Sequence, residues 1–237
     1  MKTGACFHHT RARGWVRLAL RAVVFDYGMV LSGAPDPHAH AELVRIAGLP
    51  GETFDKLYWD GRRAFDEGKV NGEEYWQKLL RKAGVAPTPA AIAELMDWDG
   101  RMWMTLNPGM LAWQSALQAR GLRTAVLSNL GDATHRAMER ELDWLNRFDV
   151  LVWSYQLHIA KPDPAIYRYT LDRLGTRPEQ TLFIDDREEN VEAAAALGIE
   201  AIVFTTAEAL RDRLIARGLD KDLPLPVCGA GPDLAQP

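Results

Sequence analysis

Residues 180–204 read QTLFIDDREENVEAAAALGIEAIVF. The apolar run TLFI ends in two carboxylates, Asp185 and Asp186. A stretch of helical length then runs from Glu188 to Gly198, and a second apolar run, IEAIVF, follows at once. Short runs rich in β-branched and aromatic residues suit strands buried on both faces. Strand, helix and strand at this spacing predict a parallel sheet covered by helices.

The same alternation extends in both directions. Upstream lie a helix at 107–121 (NPGMLAWQSALQARG), a strand at 123–129 (RTAVLSN) and a helix at 132–145. A strand at 148–154 (FDVLVWS) and a helix at 163–175 (DPAIYRYTLDRLG) complete that side, and downstream a helix at 206–218 closes the pattern. A first strand, 23–31 (VVFDYGMVL), stands far upstream, with helical patterns and no convincing strand between it and residue 105. Within that block Asn71 and Glu74 have capping-box spacing, Thr88 and Pro89 suit a cap and first helical position, and Gly48, Gly68 and Gly84 end helices. The expected fold class is therefore α/β, one parallel sheet interrupted by an all-helical insert. The expected domains are a core of residues 22–32 and 106–220 and an insert of residues 33–105.

The ends read differently. Residues 1–21 carry Lys2, Arg11, Arg13, Arg17 and Arg21 without an acidic residue, and their apolar stretch WVRLAL is too short for a signal-peptide core, so a poorly ordered extension is expected. Residues 221–237 carry four prolines and little periodicity, which predicts a tail. Hydrophobic content of 47%, charged content of 25% and a net charge of −4 are ordinary for a globular chain, and give no pull towards nucleic acid or acidic membranes. No apolar run approaches the roughly 18 residues of a membrane span. Two cysteines, Cys6 and Cys228, make neither a disulfide framework nor a zinc pattern, so a reducing, cytoplasmic setting is expected.

Polar residues recur where strands end. Asp26 follows the first strand, Ser128 and Asn129 follow TAVL, Lys161 comes a few residues after VLVWS, and Asp185 and Asp186 follow TLFI. Singly, each is an ordinary turn residue, helix cap or solvated lysine. In an open parallel sheet, however, the carboxyl ends of the strands share one edge, where ligands bind. Three carboxylates there would repel unless a divalent cation sat between them, and hard oxygen donors without His or Cys favour magnesium over zinc. Hydroxyl, amide and ammonium donors beside them suit a phosphoryl group, and a carboxylate can serve as its nucleophile. No GxSxG, HExxH or P-loop pattern competes for the chemistry.

The ordered set VVFDYGMVL, VLSN, AKPDPAIY and LFIDDREENVEAAAALG resembles the four motifs of the haloacid dehalogenase superfamily, over about residues 22–217. That resemblance implies a Rossmann-like core with a helical cap inserted after the first motif. It implies that Asp26 is nucleophile and magnesium ligand, and that Ser128, with Asn129 beside it, binds phosphate. Lys161 would bridge nucleophile and phosphate, Gly28 would offer its carbonyl to the metal, and Asp185 and Asp186 would hold it, Asp186 directly. Asn190, one helical turn on, resembles the residue that orients the site.

One departure matters. Many phosphatases of the superfamily have a second Asp two residues after the nucleophile as general acid and base; here that position is Gly28. A branch of sugar-phosphate phosphatases, resembling bacterial glucose-1-phosphate phosphatase, shares this form, and the phosphatase domain of soluble epoxide hydrolases shares other features. A hydrolytic 2-haloacid dehalogenase, which needs no proton on its leaving halide, and a non-catalytic phosphate-binding module are the alternatives. The expected activity is magnesium-dependent hydrolysis of a small phosphomonoester, a sugar phosphate favoured, by a monomer or homodimer. His38 and His40, near the insert's hinge, are candidates for the missing proton donor, although solvated loop histidines read more simply. The insert aromatics Tyr58, Trp59, Tyr75, Trp76, Trp98 and Trp103 read first as helical core.

Overall fold

The computed structural model describes residues 19–141 and 143–227. The expected extension therefore lies outside the described residues up to position 18, as do both cysteines and the tail beyond 227.

Five parallel strands form one sheet in the order β3-β2-β1-β4-β5. They are β1 (Ala22–Phe25), β2 (Arg123–Ser128), β3 (Val150–Trp153), β4 (Thr181–Asp185) and β5 (Glu200–Val203). β1 is central, its Phe25 in register with Val126 of β2 and Ile184 of β4, so Asp26 emerges between the exits of both neighbours. Apolar cores lie on both faces. One includes Phe25, Trp113, Val126 and Ile184, the other Val24, Leu127, Tyr167 and Phe183. Both faces being covered explains why the strands read as apolar runs rather than alternating patterns.

Four helices, α1 (Pro37–Ala47), α2 (Gly51–Asp66), α3 (Gly72–Lys82) and α4 (Pro89–Met102), form the insert. The chain leaves and re-enters the core side by side: Ser32 bridges Leu106, and the Gly33 N–H donates to the Thr105 carbonyl at 2.7 Å. Asn71 and Glu74 make the expected capping box, and Thr88 caps α4. The insert has its own apolar core around Leu43, Phe54, Trp76 and Leu95. The core resumes with α5 (Pro108–Ala119), α6 (Asp132–Glu141), a short α7 (Ser154–Leu157), α8 (Pro164–Leu174), α9 (Glu188–Ala196) and α10 (Ala207–Ala216).

The insert packs closely on α6. A Cβ at Gly100 would lie 2.5 Å from that of Ala137, and one at Gly72 would lie 2.7 Å from that of Ala133. One at Gly131 would fall 2.1 Å from the Phe65 ring, so no side chain fits at these contacts without movement.

Three expectations need correction. The first strand stops at Phe25 rather than running to 31. Asp26 accepts from the Tyr27 N–H, Met29 turns to φ 60°, and Ser32 N–H closes a wide turn onto the Tyr27 carbonyl at 2.8 Å. The helix expected over 132–145 ends at Glu141 and continues after residue 142 as a tighter turn, Asp143–Arg147. The tail expected from 221 begins later: Leu223 is buried in the core, and the Trp113 indole donates to the Pro224 carbonyl at 2.6 Å.

Candidate active site

The carboxyl edge of the sheet gathers the residues that the sequence scatters. Asp26, Gly28, Ser128, Asn129, Lys161, Asp186 and Asn190 line one cleft of about 490 Å³ beneath the insert. Asp185 lies behind that wall, fully buried.

Lys161 organises the cluster. Its Nζ donates to Asp185 Oδ2 at 2.6 Å and lies 2.8 Å from Asp26 Oδ1. Burial opposes its charge, but Asp185 and then Asp26 outweigh burial and raise its pKa above the ordinary lysine value. Its main chain is fixed by Asn129, whose Oδ1 accepts from the Lys161 N–H at 2.8 Å and whose Nδ2 donates to the Lys161 carbonyl at 2.9 Å. Both polar atoms of Asn129 thus join the β2 exit to the loop before α8, and the side chain also lines the cleft in which the sequence placed it as a substrate-binding residue. Ser128, buried at the end of β2, has no side-chain hydrogen bond within the described residues and lines the cleft.

The acidic pair divides its tasks. Asp185 accepts from Lys161 Nζ, from the Arg187 N–H at 2.9 Å and from Asn190 Nδ2 at 2.9 Å. Those three donors reach both of its oxygens. Asp186 is half-buried and lines the cleft, with its carboxyl pKa raised by burial and by Asp185. Burial, with help from Asp185 and against Lys161, pushes Asp26 up to about 7.

These groups suit a hard cation. Asp26, Asp185 and Asp186 each offer a carboxylate oxygen, and those oxygens lie within 4.8 Å of one another. Three carboxylates against one ammonium leave an excess of negative charge in a buried place. Asn190 Oδ1 is buried with no partner among the described residues, a further oxygen acceptor beside them. The donor set contains no nitrogen or sulfur ligand, which fits magnesium.

The insert contributes Trp59, Arg62, Asp66 and Trp103 to the same cleft. The aromatics expected as core divide: Tyr58, Tyr75 and Trp76 are buried within the insert, whereas Trp59 is 55% exposed on the cleft rim. Trp103 packs near Gly28, and its carbonyl accepts from Tyr27 Oη at 2.6 Å. His38 stacks edge-on against Trp98, and His40 Nε2 meets Asp55 at 2.7 Å; neither lines the cleft, so the position expected of a proton donor is not theirs. Sequence reasoning missed Arg62, Asp66 and Thr134, because residues on a helix of unknown docking carry no signal of what they face.

A family model described as haloacid dehalogenase-like hydrolase matches residues 20–198. The chain belongs to that family. It is 33% identical over 229 residues to mouse bifunctional epoxide hydrolase 2, covering 89% of this chain and 41% of that protein. It spans less than half the length of the first curated relatives it matches. A phosphatase of Mycobacterium tuberculosis is 28% identical, with 84% of this chain and 93% of that protein aligned. Among solved structures, a HAD family enzyme of Bacteroides thetaiotaomicron superposes with a TM-score of 0.61 at 19% identity, over 78% of this chain and 94% of that one; that crystal contains magnesium and inorganic phosphate. At that identity the likeness speaks for the fold. No helix of the described residues is long and apolar enough to cross a membrane.

Proposed function

We propose that the chain is a magnesium-dependent phosphatase of small phosphomonoesters, sugar phosphates favoured, acting through a phosphorylated Asp26. The observation that carries this reading is Lys161 Nζ held between Asp26 and Asp185, with Asp186 beside them and the Ser128 hydroxyl on the same strand edge. A nucleophile, an anion-binding ammonium and hydroxyl, and a cation site converge there.

Asp26, Asp186 and the Gly28 carbonyl would hold the magnesium, with Asp185 and Asn190 supporting them. When bound, the cation offsets the charge of carboxylate and phosphate and lets them approach. Asp26 attacks phosphorus, the bond to the leaving oxygen breaks, and water then hydrolyses the acyl phosphate. Lys161 and Ser128 donate to the phosphoryl oxygens as charge spreads over them. The insert acts as a cap that excludes bulk water during the first step. Among the relatives, the phosphatase of near-equal length supports this activity.

The test is phosphate release from sugar phosphates, nucleotides and p-nitrophenyl phosphate, with and without magnesium, beside Asp26→Asn. Cation-dependent release that the variant lacks supports the reading. Halide release from 2-haloacids without magnesium, or ligand binding without turnover, would replace it.

A further inference from the structure

If the cleft hydrolyses phosphomonoesters, the leaving oxygen needs a proton, and Gly28 has no side chain to give one. The residues lining the cleft include three carboxyls: Asp26, Asp186 and Asp66. The first two belong to the nucleophile and cation cluster. Lys161 is committed to two carboxylates, the guanidinium groups of Arg62 and Arg187 do not release protons, and no histidine lines the cleft.

We propose that Asp66, carried into the cleft by the last residue of α2, is the acid that protonates the leaving oxygen. The proposal rests on the phosphatase reading and adds to it the residue that performs the task absent at position 28.

The main chain of Asp66 is anchored above the phosphate-binding loop. Ser154 Oγ donates to the Asp66 carbonyl at 2.5 Å and accepts from the Leu130 N–H at 3.0 Å. Leu130 is two residues beyond Ser128, so one hydroxyl ties the insert's acid to the loop that would hold phosphate. The side chain is held from its other side, Oδ1 accepting from Arg62 Nε at 3.1 Å. Oδ2 has no hydrogen bond within the described residues.

The surroundings explain why this carboxyl holds its proton to higher pH than an ordinary aspartate although an arginine touches it. Arg62 Nη1 donates to both oxygens of Asp99, each at 3.1 Å, and Asp99 is fully buried on α4. Tyr58 Oη also donates to Asp99, at 2.6 Å. Asp99 thus already balances the guanidinium charge. An ionised Asp66 would leave a net negative charge in a buried cluster, which is costly. The groups facing Asp66 are Arg62 on its own helix, Asp99 on α4 and Arg187 after β4. Burial, joined by repulsion from Asp99, outweighs the attraction of Arg62 and Arg187 and pushes its pKa up to about 6. An acid poised there combines a populated acid form with ready transfer near neutral pH.

The step balances. As Asp26 forms its bond to phosphorus, the bond to the leaving oxygen breaks, and the Asp66 proton goes to that oxygen. The products are an alcohol, the acyl phosphate and the Asp66 carboxylate. That carboxylate then takes a proton from the attacking water as the Asp26–phosphorus bond breaks. Inorganic phosphate and the acid are both recovered.

The experiment compares leaving groups in the full chain with magnesium. For each of wild type, Asp66→Asn and Asp66→Glu, kcat/KM is measured with a sugar or alkyl phosphate and with p-nitrophenyl phosphate. The nitrophenolate leaves without a proton, so only the first substrate demands the acid. In Asp66→Asn, kcat/KM should fall by about 10²–10⁴-fold for the alkyl substrate and within about tenfold for the nitrophenyl one. Asp66→Glu should recover part of the alkyl activity. Equal losses on both substrates, or no loss on either, would overturn the role of Asp66 while leaving the phosphatase standing. Absence of release by the wild type on any substrate would overturn the phosphatase reading itself, and the proposal with it.

Discussion

Lys161 Nζ sits 2.8 Å from Asp26 Oδ1 and 2.6 Å from Asp185 Oδ2, almost wholly removed from solvent. An ammonium between two buried carboxylates has two consequences, one for stability and one for chemistry. In Lys161→Ala the carboxylates would face each other unpaired, at a cost of about 3–5 kcal/mol at neutral pH. That cost should shrink as pH falls and one carboxyl takes up a proton. Urea unfolding of variant and wild type at pH 8 and pH 4.5 measures the difference, and an equal loss at both pH values would count against the charge argument. Turnover should fall by about 10²–10³-fold or more, as for loss of a principal transition-state donor.

The same cluster should bind its cation in the absence of substrate. Asp26, Asp185 and Asp186 gather three carboxylates around one ammonium, so a divalent ion relieves repulsion in the folded state alone. Magnesium at about 100 times its Kd should stabilise the fold by about 2.7 kcal/mol, which for a chain of this size is a Tm rise of roughly 5–10 °C. Asp186→Asn should lose most of that rise and keep its fold, since within the described residues Asp186 bonds to no other side chain while Asp185 carries the structural bonds. A wild-type Tm unmoved by millimolar magnesium would sink the cation assignment.

Asn129 predicts a different kind of loss. It touches the Lys161 backbone through two hydrogen bonds and leaves the ammonium untouched. Asn129→Ala should therefore lower kcat by about tenfold to a hundredfold through a misplaced Lys161, with the leaving-group dependence unchanged. Asn129→Asp, which keeps the acceptor for the Lys161 N–H but loses the donor to its carbonyl, should fall between. Wild-type kcat in Asn129→Ala would show that Lys161 needs no such support.

The order of strands and helices was legible because the sheet is buried on both faces, so TAVL, VLVW, TLFI and EAIV carry a local apolar signal. The site residues at strand exits were legible for the same reason: topology puts Asp26, Ser128 and Asp185 on one edge once the strands are known. Helix ends announced themselves through Asn71, Thr88 and the glycines. What sequence did not carry is how the insert meets the core. Gly131 against Phe65, Gly100 against Ala137 and Ser154 between Asp66 and Leu130 are long-range contacts with no periodic signature. Asp66 therefore carried no signal in the sequence, and the histidines near the hinge drew attention that their positions outside the cleft do not support. The turn after Asp26 also escaped, because VVFDYGMVL is apolar on both sides of Asp26 and its bend arises from Asp26 bonding its neighbour's N–H.

Gly131 tests the contact between insert and core. A methyl there would fall 2.1 Å from the Phe65 ring, and the Arg62 guanidinium lies over that ring at 4.9 Å from its centroid. Gly131→Ala should destabilise by about 1–3 kcal/mol through overpacking. Because Phe65 neighbours Asp66, it should also weaken turnover of poor leaving groups more than of nitrophenyl phosphate. Gly48→Ala, at φ 65° with open space around it, should cost about 1 kcal/mol or less in stability and leave that ratio alone. Thermal denaturation and the two-substrate ratio together separate the effects. The same ratio change in both variants would place its cause outside the Phe65 contact.

Asp66 also makes a stability prediction that is independent of turnover. Its carboxyl pKa rises from 3.8 to about 6 on folding, chiefly through burial, so the unfolded chain gives up that proton more readily than the folded one. For a raised carboxyl the folded state is favoured most below about pH 4, where both states hold the proton. The penalty then grows as pH rises through the folded pKa and is constant above about pH 7. Asp66→Asn cannot ionise and keeps an oxygen for Arg62 Nε. It should match the wild type near pH 4 and exceed it by on the order of 1–3 kcal/mol at pH 8. Urea unfolding across that range gives the answer directly. A variant less stable than wild type at pH 8 would mean that the pair with Arg62 outweighs burial and the carboxyl pKa is not raised, which leaves too little acid form near neutral pH to serve the leaving oxygen.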